Sequence, residues 1–546
     1  MNESSGQIPE TTLRPIARDT SDFADLRRSG AIYVDKTAYF HRLIGGHGPK
    51  CVFLSRPRRF GKSLMISTFE EIFKGHRNLF DGLAIAKTDW LWCKYPVIKF
   101  RFNGVSTLTL ESFEADFAAE VSRSLAHAGC AYDHALSPGQ NFGLAIETLG
   151  AEAKNAEADS AMDDGKGVVI LIDEYDAPVA HALADIDKAE AIRERLSEFY
   201  IQMKDRTGYI RFAIITGVSK FSKLSVFSAL SNIVDISMED PAYAAILGYT
   251  DEELTANFEP HLREHARRMG MAYEDYRAEM KRWYNGFRFS PDVETTLYNP
   301  VSISETLAIK RNAFGPKWTT TGKASMLMNY LKREDILARD YERVEDVDES
   351  EFDVADLRSL KPIGMLFQAG YLTVRDYDSD TGLYTLGVPD EEVRRDLAKM
   401  VVGVSADEDT AWAASLGAKL LGANWDAFFA GLASLYARLP YGSTEVKPHE
   451  ASFARPLCTL LASQGFRWEP ESAQSKGRSD IIARHKKGVW IFELKVDEPV
   501  EEAMRQIREK GYATPFLAAG KAVWAVGLSF DRETRRLVGH AVERLA

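Results

Sequence analysis

A hydrophobic run that leads into Gly61-Lys62-Ser63 is the feature that most constrains how this chain can fold. Residues 51–63 read Cys-Val-Phe-Leu-Ser-Arg-Pro-Arg-Arg-Phe-Gly-Lys-Ser, and an amphipathic helical pattern follows over Leu64–Lys74. A strand, a tight turn and a helix in this order bring unpaired backbone N–H groups and the positive end of a helix dipole to one point. The pattern predicts a phosphate-binding loop in which Lys62 reaches the β- and γ-phosphates and the Ser63 hydroxyl completes a Mg²⁺ shell.

The loop departs from the usual GxxxxGK[ST] pattern, because Arg56 stands at the position of the first glycine. Taken alone, the segment also fits a basic turn before an amphipathic helix. The nucleotide interpretation assigns phosphate and nucleotide contacts to the residues around the helix start, which are Arg59, Phe60, Gly61, Lys62, Ser63 and Leu64.

A second apolar run, Val168–Ile172, ends in the adjacent carboxylates Asp173 and Glu174. Asp173 would hold Mg²⁺ through water, and Glu174 would polarise the attacking water. Capping of a following helix is the alternative, but the two motifs together favour a nucleotide site. A third run, Phe212–Thr216, ends in a hydroxyl that either senses the γ-phosphate or is a satisfied turn hydroxyl.

The alternation of apolar runs with amphipathic stretches predicts a mainly parallel sheet covered by helices up to about residue 240. Its strand candidates are Cys51–Leu54, Pro96–Phe100, Val168–Ile172 and Phe212–Thr216. Residues 240–440 are mostly helical in pattern, with helices predicted at Asp251–Arg268 and Tyr273–Trp283 and a hairpin at Tyr371–Val374 and Leu383–Leu386. The last hundred residues return to a helix, strand, strand, helix pattern.

Six different short motifs follow one another over roughly residues 15–330. They are Tyr33-Val34-Asp35-Lys36-Thr37, Arg56–Ser63, Leu171–Asp176, Thr216–Ser222, Trp283–Phe289 and Tyr298-Asn299-Pro300. Together they make this part of the chain similar to the AAA-ATPase-like family of prokaryotic proteins. The resemblance implies an AAA-like core that uses ATP and Mg²⁺, and arginine at the first loop position is usual in that family. Arg56, Arg58, Arg59 and Arg288 are candidates for an arginine finger or phosphate clamp, with surface charge or carboxylate pairing as the alternative.

A second group of charged residues lies near the C-terminus, where Asp480 begins one strand-like segment and Glu493-Leu494-Lys495 lies in the next. Alternation along a strand places the Glu493 and Lys495 side chains on the same face, where Asp480 can meet them. Two carboxylates with the Leu494 carbonyl would form an oxygen-rich site for Mg²⁺ or Mn²⁺. Lys495 would then orient a water and stabilise charge on a phosphate.

This arrangement resembles the PD-(D/E)XK nuclease superfamily over about residues 440–540. The resemblance adds Glu450, ahead of the helical stretch 453–463, as a further metal-binding acid. It also adds Gln506, in Gln506-Ile507-Arg508-Glu509-Lys510-Gly511-Tyr512, as a catalytic residue. A surface hairpin that carries a Glu–Lys pair is the alternative interpretation.

Charge and composition limit the partners. With 68 Lys+Arg against 80 Asp+Glu, the net charge of −12 disfavours coating of nucleic acid through bulk charge. Residues 441–546 carry 17 basic and 14 acidic residues, a net charge of +3, so residues 1–440 carry a net charge of −15. The local positive charge of the C-terminal segment weakly supports binding to a phosphate backbone. The absence of a long apolar run and the four dispersed cysteines predict a cytoplasmic protein without a membrane span.

We therefore predict an α/β chain with four parts: a P-loop AAA-like parallel-sheet core (15–240), a helical lid (241–340), a helical, winged-helix-like module (341–440) and a restriction-endonuclease-like domain (441–546). The predicted function is ATP binding and hydrolysis coupled to metal-dependent cleavage of DNA or RNA. One alternative is a nucleotide-gated switch or scaffold whose C-terminal domain binds nucleic acid without cutting it. Another is a sensor that does not hydrolyse ATP. A homo-oligomer is left open.

Overall fold

The computed structural model of the chain describes residues 13–18, 21–46, 48–155, 166–219, 233–238, 240–308, 313–317, 341–352, 357–359, 361–406, 410–438, 450–474, 477–517 and 521–546. At residues 359, 403–406, 410–411, 413, 451, 468–474 and 477–480 it describes the backbone alone. The motif residues Lys220-Phe221-Ser222 and the side chain of Asp480 therefore lie outside the described part.

Strands alternate with helices in the N-terminal region, as the sequence predicts. The elements are α1 Phe23–Arg28, α2 Thr37–Ile44, β1 Cys51–Ser55, α3 Lys62–Phe73, β2 Val97–Arg101, α4 Leu110–His127, α5 Pro138–Asn155, β3 Val168–Asp173, α6 Ala177–Ala182, α7 Ile186–Tyr200, β4 Ile210–Gly217 and β5 Ile233–Asp235. The following region contains α8 Asp251–Met269, α9 Tyr273–Tyr284, β6 Asn285–Phe287, β7 Leu297–Tyr298 and α10 Pro300–Ala308.

The first five strands form a parallel sheet in the order β2-β3-β4-β1-β5. Strand β3 is buried at every position, as expected for a strand whose sheet is covered on both faces. The four predicted strands are confirmed, with ends within two residues of the prediction. Because the strands are parallel, the carboxyl ends of β1, β2, β3 and β4 lie along one edge of the sheet.

Helix α8 begins with a capping box that also binds the N-terminal segment. The Glu253 backbone N–H donates to Thr250 Oγ1 (3.2 Å), and the Thr250 backbone N–H donates to the Glu253 carboxylate (2.9 Å). The same carboxylate lies 2.6 Å from Nζ of Lys36, which is buried. Lys36, from one of the six family motifs, thus fixes where α8 starts.

The predicted helices of this region are confirmed, and they share one apolar core. The buried residues of that core include Leu254, Phe258, Leu262, Tyr276, Met280, Trp283 and Tyr284. The aromatic residues Trp283, Tyr284 and Phe287 of the Trp283–Phe289 motif are buried, with Phe287 1% exposed.

The rest of the chain combines helices with a second large sheet. The elements are β8 Val344–Val347, α11 Pro362–Ala369, β9 Thr373–Asp378, β10 Leu383–Gly387, α12 Glu391–Ala406, α13 Thr410–Leu421, α14 Trp425–Arg438, α15 Glu450–Ser463, β11 Arg467–Gln474, β12 Gly477–His485, β13 Gly488–Val496, α16 Val500–Lys510, α17 Thr514–Leu517, β14 Ala522–Phe530 and β15 Leu537–Arg544. Strand β10 matches the second predicted hairpin segment to within one residue, whereas β9 begins two residues after Tyr371 and runs four residues beyond Val374.

Strands β11 to β15 form a sheet in chain order, in which only the β13–β14 pair is parallel. Helix α16 covers one face, where Met504 and Ile507 pack with Ile482 and Ile491. Helices α14 and α15 cover the other face through a core that includes Phe428, Leu432, Leu457, Leu461, Phe492 and Leu494. This mixed α/β architecture confirms the predicted fold class of the C-terminal domain.

The chain divides into two compact units, Met1–Lys317 with Asp348–Tyr384, and Trp318–Val347 with Thr385–Ala546. The finer division at residues 240, 340 and 440, and the winged-helix-like character of residues 341–440, stay predictions. Within the described residues, no helix combines the length and apolar character that a bilayer crossing requires.

Candidate functional site

The loop after β1 turns into α3 at Gly61, where the sequence predicts the phosphate cradle. Gly61 adopts φ +97° as the N-cap residue, a backbone conformation that glycine adopts without strain. The N–H groups of the first turn of α3 therefore point toward the carboxyl edge of the sheet. Ser63 and Leu64 occupy this first turn and are both half-buried.

Lys62 is 6% exposed, and its ammonium group is held inside the loop. Its Nζ atom donates to the carbonyl oxygens of Arg56 (2.7 Å) and Pro57 (2.9 Å). Burial lowers the pKa of Lys62 to about 8, although the nearby carboxylate of Asp173 acts in the opposite direction. The lysine thus lies next to the cradle, with two of the three N–H donors of its ammonium group bound to loop carbonyls.

Asp173 ends β3 and is 1% exposed. The Thr216 hydroxyl, at the end of the neighbouring strand β4, donates to Asp173 Oδ1 at 3.0 Å. Asp173 Oδ2 is 3.7 Å from Arg101 Nε and has no hydrogen-bond partner among the described residues. A buried carboxylate oxygen with spare acceptor capacity fits the role predicted for Asp173, which is to accept a hydrogen bond from a metal-bound water.

Glu174 directly follows β3 in a strained backbone conformation. Its φ of +56° lies in the left-handed region, which costs a non-glycine residue about 1–3 kcal/mol. Partial burial raises the pKa of Glu174, and the neighbouring Asp173 charge adds to the effect. Strain and a raised pKa at one carboxylate are features that cluster at catalytic sites.

Two residues that the sequence analysis quoted without a role, Tyr175 and Asp176, bind the backbone after β4. The Asp176 carboxylate accepts from the N–H groups of Val218 (3.1 Å) and Ser219 (2.6 Å). The Tyr175 hydroxyl donates to the Ser219 carbonyl at 2.9 Å. Burial raises the pKa of Asp176, while these N–H groups oppose the shift. The signal in the sequence was the third acidic residue of Asp173-Glu174-Tyr175-Asp176.

The arginine candidates differ in where their side chains lie. Arg288 donates to backbone carbonyls of Ser290 (3.1 Å), Val293 (2.7 Å) and Arg375 (3.0 Å), so its guanidinium acts locally as a structural group. Arg59 has φ +67°, donates to the Lys317 carbonyl (3.3 Å) and lies 3.8 Å from Glu305. Arg58 is exposed beside the loop and stays a candidate phosphate clamp.

Phe60 directs its side chain away from the cradle. Its ring is 1% exposed and packs edge-on against Phe287 and Phe289, with centroids 4.8 and 5.1 Å apart. A nucleotide contact from Phe60 would therefore come from the backbone N–H, whereas the ring joins the loop to the Trp283–Phe289 motif.

The C-terminal sheet brings together three of the predicted residues of the second site. Glu493 is 1% exposed on β13, and Lys495 Nζ donates to its Oε1 atom at 3.2 Å. Glu450, the first residue of α15, places Oε1 3.7 Å from the same ammonium group. The predicted shared face is confirmed, because Phe492, Leu494 and Val496 point into the opposite core.

For the other predicted residues of this site, the structure shows fewer contacts. Asp480 precedes Ile481, which pairs with Phe492, so its backbone lies beside that of Glu493. Gln506 lies on α16, which covers the Ile491 face, and its amide is 3.4 Å from the Tyr512 hydroxyl. Among the described side chains, which exclude that of Asp480, no three His, Cys, Asp or Glu residues converge as a metal cluster. The metal roles of Glu450, Asp480, Glu493 and Leu494 stay predictions.

The N-terminal parallel sheet carries a glycine-capped loop and an acidic strand end at one edge, and the C-terminal α/β domain carries a Glu–Lys pair. These features define a class of protein that combines two different α/β domains. A family profile described as predicted AAA-ATPase matches residues 17–227, and a profile of the PD-(D/E)XK nuclease superfamily matches residues 448–539. The chain belongs to the AAA-ATPase-like family and carries a C-terminal PD-(D/E)XK superfamily domain, as the motifs indicated.

The chain is similar over almost its full length to a protein of Azotobacter chroococcum mcd 1 that is described as "Uncharacterized protein in vnfD 5'region". The two are 32% identical over 542 residues, which cover 96% of this chain and 98% of the relative. No solved structure matches the chain.

The contact between β4 and the Asp176 region yields a testable prediction. A Cβ atom at Gly217 would lie 2.5 Å from Asp176 Oδ1 and 2.6 Å from the Tyr175 ring. We expect Gly217→Ala to lower the free energy of unfolding by about 1–3 kcal/mol, measured by urea denaturation, because the site is already filled. At the other end of β4, Gly208 has no atom within 4 Å of such a Cβ, so Gly208→Ala is the control. Equal losses in the two variants would contradict the close packing.

Proposed function

We propose that this protein binds and hydrolyses ATP with Mg²⁺ at the carboxyl edge of its parallel sheet, and that its C-terminal domain is a metal-dependent nuclease acting on DNA or RNA. The observation that carries the proposal is the convergence of Lys62, Asp173 and Glu174 on one edge of the sheet. Burial, a directed hydrogen bond and backbone strain distinguish these three residues from surface charges.

Each residue of the nucleotide site has a separate task. The N–H groups after Gly61 bind phosphate oxygens, and the third N–H donor of Lys62, beyond the two bound to the carbonyls of Arg56 and Pro57, binds the terminal phosphates. Ser63 and Asp173 would hold Mg²⁺, which neutralises phosphate charge when it is bound. Glu174 accepts a proton from the attacking water, and its raised pKa suits that task near neutral pH.

The second site supplies the groups that phosphodiester hydrolysis requires. Glu493, with Glu450 and Asp480, would hold a divalent cation through hard oxygen ligands, and that cation would polarise the phosphate. Lys495 lies within 3.2 Å of Glu493, where its ammonium can orient a water and stabilise negative charge on the phosphate. The local net charge of +3 over residues 441–546 supports a polyanionic substrate.

Coupling of the two activities, a cytoplasmic location and the choice between DNA and RNA remain part of this proposal. A nucleotide-gated scaffold that binds nucleic acid without cutting is the alternative. The intact Glu493–Lys495 pair favours the nuclease, because a binding surface alone does not require a buried carboxylate beside a buried ammonium.

The ATPase proposal is tested by Glu174→Gln. We expect ATP hydrolysis to fall by at least about 100-fold, because the amide cannot accept the proton of the attacking water. ATP binding should persist, since the cradle and Lys62 are unchanged. The control is Glu194→Gln on the exposed face of α7, which should keep the wild-type rate. Equal phosphate release from Glu174→Gln and wild type would favour a sensor that does not hydrolyse ATP through Glu174.

The low pKa of Lys62 predicts how ATP affinity depends on pH. Above pH 8 the free protein carries Lys62 mainly in its neutral form, and phosphate binding requires the charged form, so binding takes up a proton. We expect the Kd for ATP, measured by calorimetry, to rise by up to about tenfold per pH unit above that point. Lys62→Arg keeps its charge and should give a flat profile over the same range. An equal slope in the two proteins would assign the titration to another group.

The nuclease proposal is tested with purified protein, Mg²⁺ or Mn²⁺, and labelled DNA and RNA. We expect metal-dependent cleavage that Glu493→Gln and Lys495→Ala each reduce by about 100-fold or more, because they remove a metal ligand and the stabilising charge. The control is Lys487→Ala, in the exposed turn between β12 and β13. Binding of nucleic acid by the wild type without cleavage under any of these conditions would support the scaffold instead.

A further inference from the structure

The side chain of Arg56, at the start of the phosphate loop, binds groups that lie away from the predicted phosphate site. Arg56 is 2% exposed, and its Nη1 atom donates to the carbonyls of Ser55 (3.0 Å) and Ser237 (2.5 Å). Its Nη2 atom donates to the Tyr243 carbonyl at 3.2 Å. The guanidinium carbon lies 4.2 Å from the centre of the Phe289 ring, which places the charge over an aromatic face.

The backbone of Arg56 is bound on the opposite side, where the nucleotide site lies. Its N–H donates to the carbonyl of Gly217, directly after Thr216, at 3.2 Å. Its carbonyl accepts from Lys62 Nζ at 2.7 Å. One residue therefore connects the strand end of β4 and the phosphate-binding lysine to the segment after β5 and to Phe289.

We propose that Arg56 is a positioning residue that holds the phosphate loop in its nucleotide-accepting shape by anchoring it to Ser237, Tyr243 and Phe289. This inference rests on the proposed nucleotide site and adds to it the group that fixes the loop. Arg56 does not clamp phosphate, because its side chain is buried and points into the protein, away from the cradle.

The physical argument concerns the entropy of the loop. A loop that is already held in its binding shape loses little conformational freedom when the ligand arrives, and so binds more tightly. A glycine at position 56 would leave this end of the loop without a side-chain anchor, whereas a planar guanidinium reaches several carbonyls and an aromatic face at once. Desolvation lowers the pKa of Arg56 and the nearby Asp235 charge opposes this, as expected for a buried cation with acceptors around it.

The same region holds the loop at two further points. The Phe60 ring packs on Phe287 and Phe289, and Asn299 Nδ2 donates to the Arg58 carbonyl at 3.4 Å. Residues from the Trp283–Phe289 and Tyr298-Asn299-Pro300 motifs thus contact the phosphate loop itself. This gives a physical reason for motifs that contain no nucleotide-binding chemistry of their own.

The test separates loop positioning from catalysis by measuring Kd and kcat separately. We expect Arg56→Gln to raise the Kd of a fluorescent ATP analogue about tenfold, while kcat at saturating ATP changes less than threefold. Arg56→Lys should recover part of the affinity, because an ammonium can still reach one carbonyl. Phe289→Leu should also raise Kd, and combining it with Arg56→Gln should add less than the two single effects, because both changes release the same anchor.

The matched control is Arg211→Gln at the start of β4. Arg211 also donates to a backbone carbonyl, that of Ile44 at 2.7 Å, and lies 5.9 Å from the ring centres of Trp90 and Tyr95. Arg211 lies at the opposite end of β4 from Thr216. Arg211→Gln should therefore leave the Kd of the ATP analogue unchanged, even if it lowers the free energy of unfolding.

Three results would overturn the inference: an unchanged Kd in Arg56→Gln, a loss confined to kcat, or fully additive effects of Arg56→Gln and Phe289→Leu. If Arg56→Gln does not fold, Arg56→Lys decides the matter, because Phe289→Leu also removes the packing of the Phe60 ring. Arg56→Lys must raise Kd and speed amide exchange of residues 58–62 in the nucleotide-free protein, and wild-type exchange would overturn the inference. A wild-type protein that binds no ATP would instead remove the proposed function.

Discussion

The parallel pairing of β1, β4 and β3 is the constraint on which the rest of the N-terminal unit depends. Adjacent strands lie about 4.8 Å apart, so the insertion of β4 between the other two separates the phosphate loop from Asp173 by about 10 Å. That gap is wide enough for terminal phosphates and a hydrated cation. Thr216 bridges part of it through its hydrogen bond to Asp173, and Lys62 approaches from the other side.

Several buried charges away from the cradle keep this edge of the sheet in place. Asp176 holds the backbone that follows Thr216, Lys36 fixes the first turn of α8, and Arg56 connects the loop to its surroundings. Each charge is satisfied by backbone groups or by an opposite charge, which is the condition for burying it at tolerable cost. These contacts thus explain the motif residues Asp176, Lys36 and Arg56, to which nucleotide chemistry assigns no role.

The sequence was sufficient for the parts of the fold that depend on local pattern. The four strands, α8 and α9 followed from apolar periodicity, and the Gly61-Lys62-Ser63 turn followed from loop chemistry. The roles of Arg56, Phe60 and Asp176 could not be predicted, because their partners lie tens to hundreds of residues away and many are backbone carbonyls or N–H groups. At the second site, alternation along β13 correctly placed Glu493 and Lys495 together, whereas the contact from Glu450 rested on a family resemblance.

The path of the chain between its two units has a consequence for how such a protein can evolve. Three peptide bonds connect the units, since the chain leaves the first after Lys317, returns at Asp348 and leaves again after Tyr384. The returning segment is an integral part of the first unit, because Thr373 exchanges hydrogen bonds with the Arg288 backbone at 2.8 and 2.9 Å. A single recombination event in the gene therefore cannot exchange either unit intact. Transfer of either unit intact into another protein requires that both of its segments be moved together.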